Sequence, residues 1–474
     1  MSFKRFSLFL LLAPAVWAQS FRGSLSGLAT DASGAAIQGA VVKLEDPSTG
    51  NTRSNISASN GDFLFIDLPV GTYTLTVSSP GFETKKIANL EISVSKTTNI
   101  GVQLGVAQQA SMVEVSASAV TVETTSSALV GVVDRKTVAD LPLNGKDFRQ
   151  MIKLAPGVSP TTTAVNGMRT NGNNFQIDGA DNNDAFQNAA AVNQGGVAGI
   201  AGTLLPTEAI DQFSVQSNAG PEQGRNAGAA VNIVLKSGTN ALHGSFYYDN
   251  RNEALAALSP LQAPGSAKQV IRNNQFGFSA GGPIIKNKTF FFLVGEGQLA
   301  IANNSVLDTS PSDAWVTQAK GVLAKAGVAV NPVALNLLSI WPADSRTGPA
   351  AANNYLSNGR NDYNSYNGVV KIDHRFNDKH SLFVRYFGGT GTQTADVGSH
   401  FHDFFQVAPS HMHNVSVVEN AVLTARMVNQ LTLGTNYFLQ TFNDLNTSFD
   451  PAALGLNTGV TEPNLLGSPK ITIS

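Results

Sequence analysis

Residues 277–281 read Gly-Phe-Ser-Ala-Gly, the spacing of the turn that carries the nucleophile of many serine hydrolases. That chemistry needs a strand ending at Ser279, a helix starting directly after it, and a histidine base held by an acid. Here the alternation of Phe276, Phe278 and Ala280 continues a strand pattern through the motif. The pattern favours an uninterrupted strand, and we predict that the protein is not an enzyme.

Four histidines form two His-x-His pairs, His400 with His402 and His411 with His413. On a strand this spacing places both rings on one side, where they can bind a transition metal. The pairs flank a predicted surface loop, and Asp403 is the only obvious carboxylate nearby. Solvated loop histidines are therefore the preferred interpretation, and we predict no metal site and no cofactor.

A cluster of oxygen-bearing side chains comprises Asp178, Asp181, Asn182, Asn183 and Asp184. Calcium is a hard cation that prefers such ligands. The spacing differs from that of an EF-hand loop, which makes a hydrogen-bonded loop the better hypothesis.

The composition indicates a β-rich chain that can lie in a membrane. Only 14% of the residues are charged, against roughly 25% in soluble globular proteins. No internal run reaches the 18 or so apolar residues of a membrane-spanning helix. A transmembrane barrel combines these properties because its lipid-facing and lumen-facing residues alternate. The net charge of −2 supplies no basic surface for nucleic acid, and the absence of cysteine excludes disulfides and thiolate metal sites.

The N-terminus has the pattern of a secretory signal. Lys4 and Arg5 form a basic start, residues 6–16 an apolar core, and Val-Trp-Ala at 16–18 a small-residue cleavage site. We predict a signal peptide at 1–18 and a mature chain beginning at Gln19. An N-terminal membrane anchor is disfavoured because the apolar core is short.

Residues 19–104 predict a small β-sandwich. Short alternating runs lie at 40–45, 63–68, 72–78, 91–95 and 98–104, separated by Gly, Asn, Asp and Pro-rich turns. In the third run Tyr73, Leu75 and Val77 alternate with threonines, as in a half-buried strand.

The chain changes character twice after the sandwich. Residues 141–158 predict a turn, a short helix with Phe148, Ile152 and Leu154 facing inward, and a Pro-Gly stop. From residue 244 onward longer strands are separated by loops of very unequal length. The predicted strands are 244–250, 274–281, 289–296, 365–376, 381–387, 414–425 and 430–440. Helices are predicted at 314–326 and 332–341, within a long external loop.

The strand at 365–376 has one apolar face and one polar face. Tyr366, Gly368, Val370 and Ile372 lie on the first, and Asn367, Lys371, Asp373 and Arg375 on the second. Apolar-out and polar-in is the arrangement of a bilayer barrel, where a charge facing lipid at mid-depth costs about 2–4 kcal/mol. The candidates for interfacial aromatic girdles are Phe290, Phe291, Phe292, Tyr386, Phe387, Tyr437 and Phe438.

Four motifs follow one another in the middle of the chain. They are Asn-Asn-Phe-Gln-Ile-Asp-Gly-Ala-Asp-Asn-Asn-Asp at 173–184, Ala-Ile-Asp-Gln-Phe-Ser-Val at 209–215, Gly-Arg-Asn-Ala-Gly at 224–228 and Leu-Lys-Ser-Gly-Thr-Asn-Ala-Leu-His-Gly at 235–244. This ordered series resembles the plug domain of TonB-dependent outer-membrane receptors, most closely their Oar-like branch. The plug-motif residues that the resemblance implies are Asp178, Gly179, Asp181, Asn182, Arg225, Gly228, Lys236, Ser237 and Gly238.

The N-terminal sandwich has a resemblance of its own. Asn-Gly-Asp-Phe at 60–63, Leu-Pro-Val-Gly-Thr-Tyr at 68–73 and Ser-Pro-Gly-Phe at 79–82 are similar to the carboxypeptidase-regulatory-like, transthyretin-like domain. That domain is non-catalytic and has a carbohydrate-binding-like fold, which implies a role in binding glycan or protein.

Residues 111–117 resemble the TonB box, the segment that contacts the energy-transducing protein TonB. An extended segment of this kind can add to the edge of a partner's sheet. The implied TonB-contact residues are Met112, Val113, Glu114, Val115, Ser116 and Ala117. The alternative is that the segment is the last strand of the sandwich, or only a linker.

Together these features predict a mainly β protein with a signal peptide (1–18), a transthyretin-like β-sandwich (19–104), a linker (105–119), an α+β plug (120–237) and the start of a transmembrane antiparallel β-barrel (238–474). The implied function is TonB-driven uptake of an extracellular solute, such as a siderophore, a glycan or a peptide-like molecule, across the outer membrane, with membrane lipid as the second partner. The alternative is a secreted or periplasmic β-protein that binds carbohydrate or a protein and does not transport.

The number of predicted strands indicates that the sequence is a fragment of a longer protein. Plugged barrels of this class have about 22 strands, whereas the residues after 244 supply about seven to ten candidates. The last residues also lack the terminal aromatic of an outer-membrane barrel. We therefore expect a fragment or the product of a disrupted gene.

Overall fold

The computed structural model describes residues 22–107, 112–116, 129–141, 143, 146–194, 201–218, 223, 226, 228–257, 268–396, 401, 404–424 and 427–467. The predicted signal peptide lies outside these residues. Four residues singled out in the sequence also lie outside them: Ala117, Arg225, His400 and His402. None of the helices in the described part of the chain is long and apolar enough to cross a membrane.

The N-terminal unit is a β-sandwich, as predicted. Its strands are β1 (Gly23–Asp31), β2 (Val41–Asp46), β3 (Asn51–Ile56), β4 (Asp62–Leu68), β5 (Gly71–Ser78), β6 (Thr84–Ile92), β7 (Thr97–Leu104) and β8 (Met112–Ser116). One sheet has the order β4-β1-β7 and the other β3-β2-β5-β6-β8. Along β5, Tyr73, Leu75 and Val77 are buried in the shared core, and the threonines between them are not.

The plug is a five-stranded sheet with two short helices. Its elements are β9 (Val130–Val133), α1 (Arg135–Asp140), α2 (Arg149–Ile152), β10 (Asn174–Ile177), β11 (Ala180–Asp181), β12 (Ile210–Gln216) and β13 (Ala230–Leu235). The sheet order is β11-β10-β13-β12-β9. Strands β12 and β13 are buried along their whole length, as expected for strands covered on both faces.

The predicted short helix in the plug is present, but one of the three residues predicted to face inward does not. Phe148 and Ile152 are fully buried, whereas Leu154 is 58% exposed. Helix α2 ends at Ile152, so the helical spacing that would have turned Leu154 inward does not extend to it.

A consecutive antiparallel sheet follows the plug. Its strands are β14 (His243–Asn252), β15 (Ile271–Ile285), β16 (Thr289–Asp308), β17 (Tyr355–Arg375), β18 (His380–Ala395), β19 (Gln406–Thr424) and β20 (Met427–Gln440), and the short β21 (Asn443–Asp444) pairs with β19. All seven predicted strands are present, and most extend beyond the predicted bounds. The plug and the barrel wall share one apolar cluster, to which Phe213 and Ile233 of the plug and Phe292, Val369 and Phe387 of the wall belong.

The connections of this sheet alternate in length. Residues 286–288 and 376–379 form tight turns at one end, whereas 253–270 and 309–354 connect strands at the other. Outer-membrane barrels have short periplasmic turns and long extracellular loops, and by this rule we expect the end with the tight turns to face the periplasm.

The longest connection carries helices near the predicted positions. They are α3 (Asp313–Lys325), which is capped by Ser312, and α4 (Pro332–Leu337), which is capped by Asn331. The predicted second helix continues beyond α4 as a 3-10 turn at Leu338–Ile340.

Strand β17 has the two faces that its sequence predicts. Tyr366, Val370 and Ile372 are each more than 40% exposed on the outer face, whereas Asn367 and Lys371 are buried on the inner face. The polar residues therefore face the plug and the apolar ones face away from it.

The aromatic girdle prediction was only partly right. Tyr386 and Tyr437 are exposed on the outer face and lie on either side of His413, with ring centroids 6.0 Å from its ring in each case. Phe290, Phe292 and Phe387 are buried on the inner side instead. Because side chains alternate along a strand, adjacent aromatic residues cannot all face the lipid.

The histidine pair at 411 and 413 is part of β19 and does not flank a loop. Nδ1 of His411 lies 3.2 Å from the Thr390 hydroxyl, and Nδ1 of His413 lies 2.8 Å from the Tyr386 hydroxyl. Both rings thus have cross-strand hydrogen-bond partners.

Candidate functional site

Asp178 and Gly179 form the two-residue turn of a hairpin in the plug. Ile177 pairs with Ala180 across β10 and β11, and φ is +49° at Asp178 and +78° at Gly179. A two-residue hairpin loop with both residues at positive φ is a type I′ turn, for which Asp-Gly is a preferred sequence. The local sequence therefore places an acidic side chain at the tip of this hairpin.

The Asp178 carboxylate binds one backbone group and two cations. Its Oδ1 accepts a hydrogen bond from the Leu235 N–H at 3.0 Å. Lys371 Nζ lies 3.4 Å from the same oxygen, and Arg385 Nε lies 3.3 Å from Oδ2. The three ionisable side chains are at most 5% exposed. Desolvation costs several kcal/mol per ion, so these charges depend on one another for compensation.

The two cations come from the inner face of the barrel wall. Lys371 on β17 and Arg385 on β18 are direct partners in the strand register. Lys371 also donates to the Leu235 carbonyl at 3.1 Å, and Arg385 to the Ile177 carbonyl at 3.4 Å. The plug hairpin is thus held between two adjacent wall strands.

Sequence reasoning placed Lys371 on the polar face but missed Arg385. A signal was available, because Arg385 lies between Phe383 and Phe387 in the alternation of β18, and all three are buried. An arginine among inward-facing phenylalanines indicates a buried carboxylate partner.

The residues after β13 make a second set of contacts with the wall. Lys236 Nζ lies 3.0 Å from Glu208 Oε1, which also accepts hydrogen bonds from the hydroxyls of Ser245 at 3.3 Å and Ser279 at 3.4 Å. Ser237 lies next to Asp373 of β17. Lys236 is thus tied to Glu208 within the plug, and Glu208 in turn to two serines of the wall.

These contacts explain Ser279 without catalysis. Ser279 lies in the middle of β15, which continues to Ile285 with no helix after the serine. Its hydroxyl lies 2.9 Å from that of Ser245, its cross-strand partner on β14. The nucleophile-turn geometry is absent at this serine.

Two plug-motif glycines lie where backbone segments approach closely. A Cβ on Gly238 would lie 2.3 Å from the Phe291 carbonyl oxygen and 2.7 Å from that of Gly282. A Cβ on Gly228 would lie 2.4 Å from the Gly172 carbonyl oxygen, which already accepts the Gly228 N–H at 2.9 Å. Only glycine fits at these positions without displacement of the neighbouring backbone.

The other acidic motif residues organise the loop after the hairpin. Asp181 is exposed and accepts the Asn183 N–H at 2.9 Å, and Asp184 accepts three backbone N–H groups at 2.7–3.0 Å. Asn182 is fully buried, and its N–H donates to the Phe175 carbonyl. The carboxylates thus bond backbone groups and the wall cations. Within the described ranges, no three His, Cys, Asp or Glu side chains form a group able to hold a metal.

The TonB-box-like segment forms strand β8. Its five residues pair in parallel with β6, from Thr84 opposite Met112 to Ala88 opposite Ser116. This position at the end of the five-stranded sheet is that of a last sandwich strand, one of the two alternatives that the sequence left open.

The sandwich also contacts the plug directly. The Val94 N–H donates to Gln212 Oε1 of β12 at 3.2 Å, and Asn232 Nδ2 of β13 donates to the Ser95 hydroxyl at 3.1 Å. Sequence analysis gave no sign of these contacts, because nothing local marks a loop that touches a distant sheet.

A comparison with protein-family models matches residues 234–474 to the outer membrane beta barrel domain family. That is just over half of the chain. The chain belongs to the outer-membrane β-barrel family. Residues 24–105 match the carboxypeptidase regulatory-like domain, and this combination, with the relatives below, supports a TonB-dependent receptor of the outer membrane.

Two relatives are named as TonB-dependent proteins. The chain is 26% identical over 309 residues to the TonB-dependent transporter Oar of Myxococcus xanthus, a match that covers 60% of the chain and 27% of that protein. It is 30% identical over 186 residues to the probable TonB-dependent siderophore receptor PirA of Acinetobacter baumannii, covering 35% of the chain and 22% of that protein. The matched segment thus spans about a quarter of each relative's length.

Solved structures of similar proteins include the siderophore receptor PirA of Acinetobacter baumannii, at 17% identity and a TM-score of 0.34, covering 69% of this chain and 50% of that one. The outer membrane transporter YddB of Escherichia coli matches at 10% identity and a TM-score of 0.43, covering 67% of this chain and 40% of that one.

Proposed function

We propose that this receptor takes up a solute across the outer membrane, with the plug closing the lumen and TonB supplying the energy. The observation that carries this proposal is the Asp178 hairpin, which lies between Lys371 and Arg385 on the inner face of the wall. A plug tied to the wall by buried ions closes the lumen until work is done on it. The chemistry is mechanical and not covalent.

TonB acts through residues 112–117 in this proposal. The outer membrane has no nucleotide supply, so force must arrive through a protein contact. An extended strand suits that contact because backbone hydrogen bonds give affinity and register. The solute belongs to the siderophore, glycan or peptide-like class, and the name of the PirA relative makes a siderophore the first one to test.

Deleting residues 112–117 tests the proposal. We expect cells carrying the deletion to bind labelled solute at the surface as well as wild type but to accumulate none. A deletion of equal length at 118–123 shortens the chain by the same amount and retains the box, so it should still accumulate solute. Equal uptake by the wild type and the 112–117 deletion would remove the TonB-contact assignment.

A Ser279→Ala variant tests the absence of covalent chemistry. The exchange removes one of the two serine hydroxyls that donate to Glu208. Because the proposed transport needs no nucleophile, we expect unchanged uptake and no change in ester hydrolysis by the purified protein. A hydrolytic activity that disappears with this hydroxyl would favour the serine-hydrolase interpretation.

A further inference from the structure

Strand β8 is already ordered on the sandwich and has one edge unused. Its inner edge pairs with β6 over five residues, from Met112 to Ser116. On its outer edge no strand of the described chain pairs with it, since the sheet order ends β5-β6-β8. Such an edge presents unpaired N–H and C=O groups that accept a further strand.

A strand that is already paired with a sheet loses less conformational entropy on binding a further strand than a free segment does. Fixing the backbone of one residue costs roughly 1–2 kcal/mol of conformational entropy. Pairing with β6 has already fixed the five residues of β8, so a strand adding to the outer edge does not meet that cost again. The outer-edge groups are also distinct from those that β6 uses, because successive residues direct their hydrogen bonds to opposite sides of a strand.

Strand β6 leads directly into the contact with the plug. It ends at Ile92, and two and three residues later Val94 and Ser95 bond Gln212 and Asn232. Val94 is fully buried in this contact. Strand β13, which carries Asn232, pairs with β10, and β10 ends at the Asp178 turn. A load on β8 therefore has a continuous hydrogen-bonded route to the ion cluster that holds the plug.

We propose that TonB adds a strand to the outer edge of β8 while β8 stays paired with β6, so that the sandwich carries the pull to the plug. This rests on the proposed function, in which residues 112–117 are the TonB contact. The regulatory-like domain then acts as the mechanical adaptor between TonB and the plug, because TonB and the sandwich share one sheet.

A disulfide between β6 and β8 tests the proposal. The chain has no cysteine, so Ala88→Cys with Ser116→Cys creates a single pair at opposed positions. Neighbouring strands lie about 4.8 Å apart, which a disulfide spans. Ala88→Cys with Val113→Cys is the control, three residues out of register. We expect the first pair to oxidise and the control pair not to.

Binding of the purified periplasmic domain of TonB is then measured with the oxidised and reduced forms of the full receptor chain in detergent. We expect the two affinities to agree within about twofold, below 0.5 kcal/mol. Binding only after reduction would mean that β8 must leave β6, and would overturn the proposal while leaving the TonB contact intact. No binding in either form would overturn the TonB contact itself. A failure of the opposed pair to oxidise would show that β8 does not rest on β6, which overturns the proposal as well.

The proposed transmission of force from β8 through the sandwich to the plug has its own test. Gln212→Ala combined with Asn232→Ala removes the two side-chain hydrogen bonds that join the sandwich to the plug and leaves β8 unchanged. We expect TonB binding to stay at the wild-type level and solute accumulation to fall to that of the 112–117 deletion. Unchanged accumulation would show that the pull bypasses the sandwich.

Discussion

The guanidinium of Arg385 and the carboxylate of Asp178 meet in the interior, with Nε 3.3 Å from Oδ2 and both side chains fully buried. One belongs to a wall strand and the other to the tip of a plug hairpin. A buried ion pair adds little net stability, because desolvation offsets the attraction. Separating the two charges is costly, however, so the pair fixes where the plug sits against the wall.

Asp178→Asn should loosen the plug without unfolding the barrel. The exchange leaves Arg385 buried without a carboxylate, and removing one partner of such a pair costs about 3–5 kcal/mol. We expect amide hydrogen exchange in β10 and β13 to speed up by a hundredfold or more, since about 1.4 kcal/mol corresponds to a factor of ten.

Asp181→Asn is the matched control, since Asp181 lies in the same hairpin region but is exposed. Its exchange rates should stay near those of the wild type. Equal protection in the two variants would show that the buried ions do not hold the plug.

Gly238→Ala should displace the segment that joins plug and wall. The new methyl group would lie 2.3 Å and 2.7 Å from two wall carbonyl oxygens, and neither belongs to a flexible side chain. Overpacking of this kind typically costs about 1–3 kcal/mol. We expect faster protease cleavage near residue 238 in the folded receptor. Gly321→Ala, in α3 with no atom near its Cβ, should cleave like the wild type or more slowly.

The sequence predicted the two faces of β17, but around Asp178 it predicted only a hydrogen-bonded loop, although both the faces and the turn depend on local rules. Alternation sets the two faces, and the Asp-Gly pair selects the hairpin turn. The partners of Asp178 did not follow in the same way, because Lys371 lies 193 positions further along the chain. Several inner-face polar residues satisfy the same alternation, and only the docking of the plug selects among them.

The pairing of β8 with β6 could not be predicted from the sequence, for a related reason. A short β-branched segment is compatible with a strand, a linker or a docking peptide. Which of them forms depends on whether a sheet edge is available, and here the edge of β6 is supplied by the folded sandwich. Phe290 and Phe292 illustrate the same limit, since a run of three aromatics gives no sign of which residue faces lipid.

Val370→Arg tests the membrane face of β17. Val370 is 47% exposed on the outer face between Gly368 and Ile372, and arginine at mid-depth costs about 2–4 kcal/mol. We expect a lower yield of receptor in the outer membrane and a lower urea midpoint in lipid vesicles. Asn364→Arg lies on the same face nearer the extracellular loops, where we expect a cost of about 0–1 kcal/mol. Equal losses would place the bilayer elsewhere on the strand.

Tyr73 should make the sandwich sensitive to alkali. The side chain is buried, and its hydroxyl donates to the Pro69 carbonyl at 2.8 Å. Burial raises the pKa of Tyr73, and the negative charge of Asp46 adds to this effect. The folded state therefore keeps this proton at a pH where the unfolded chain, with a tyrosine pKa of about 10, has lost it. The stability contributed by this group is complete below pH of about 10 and declines as the pH rises further, because the unfolded chain then binds fewer protons.

Tyr73→Phe removes the titrating group together with one hydrogen bond. We expect the sandwich to be about 1 kcal/mol less stable near neutral pH but to lose less stability between about pH 10 and pH 11. The measurement is cleavage by an alkali-tolerant protease across a urea series at each pH, with cuts within residues 22–107 identified by mass spectrometry. Tyr248→Phe, at a tyrosine that is 63% exposed on β14, should leave the alkaline loss in the sandwich unchanged. If Tyr73→Phe and the wild type lost stability in parallel above pH of about 10, another group in the sandwich would have to account for the decline.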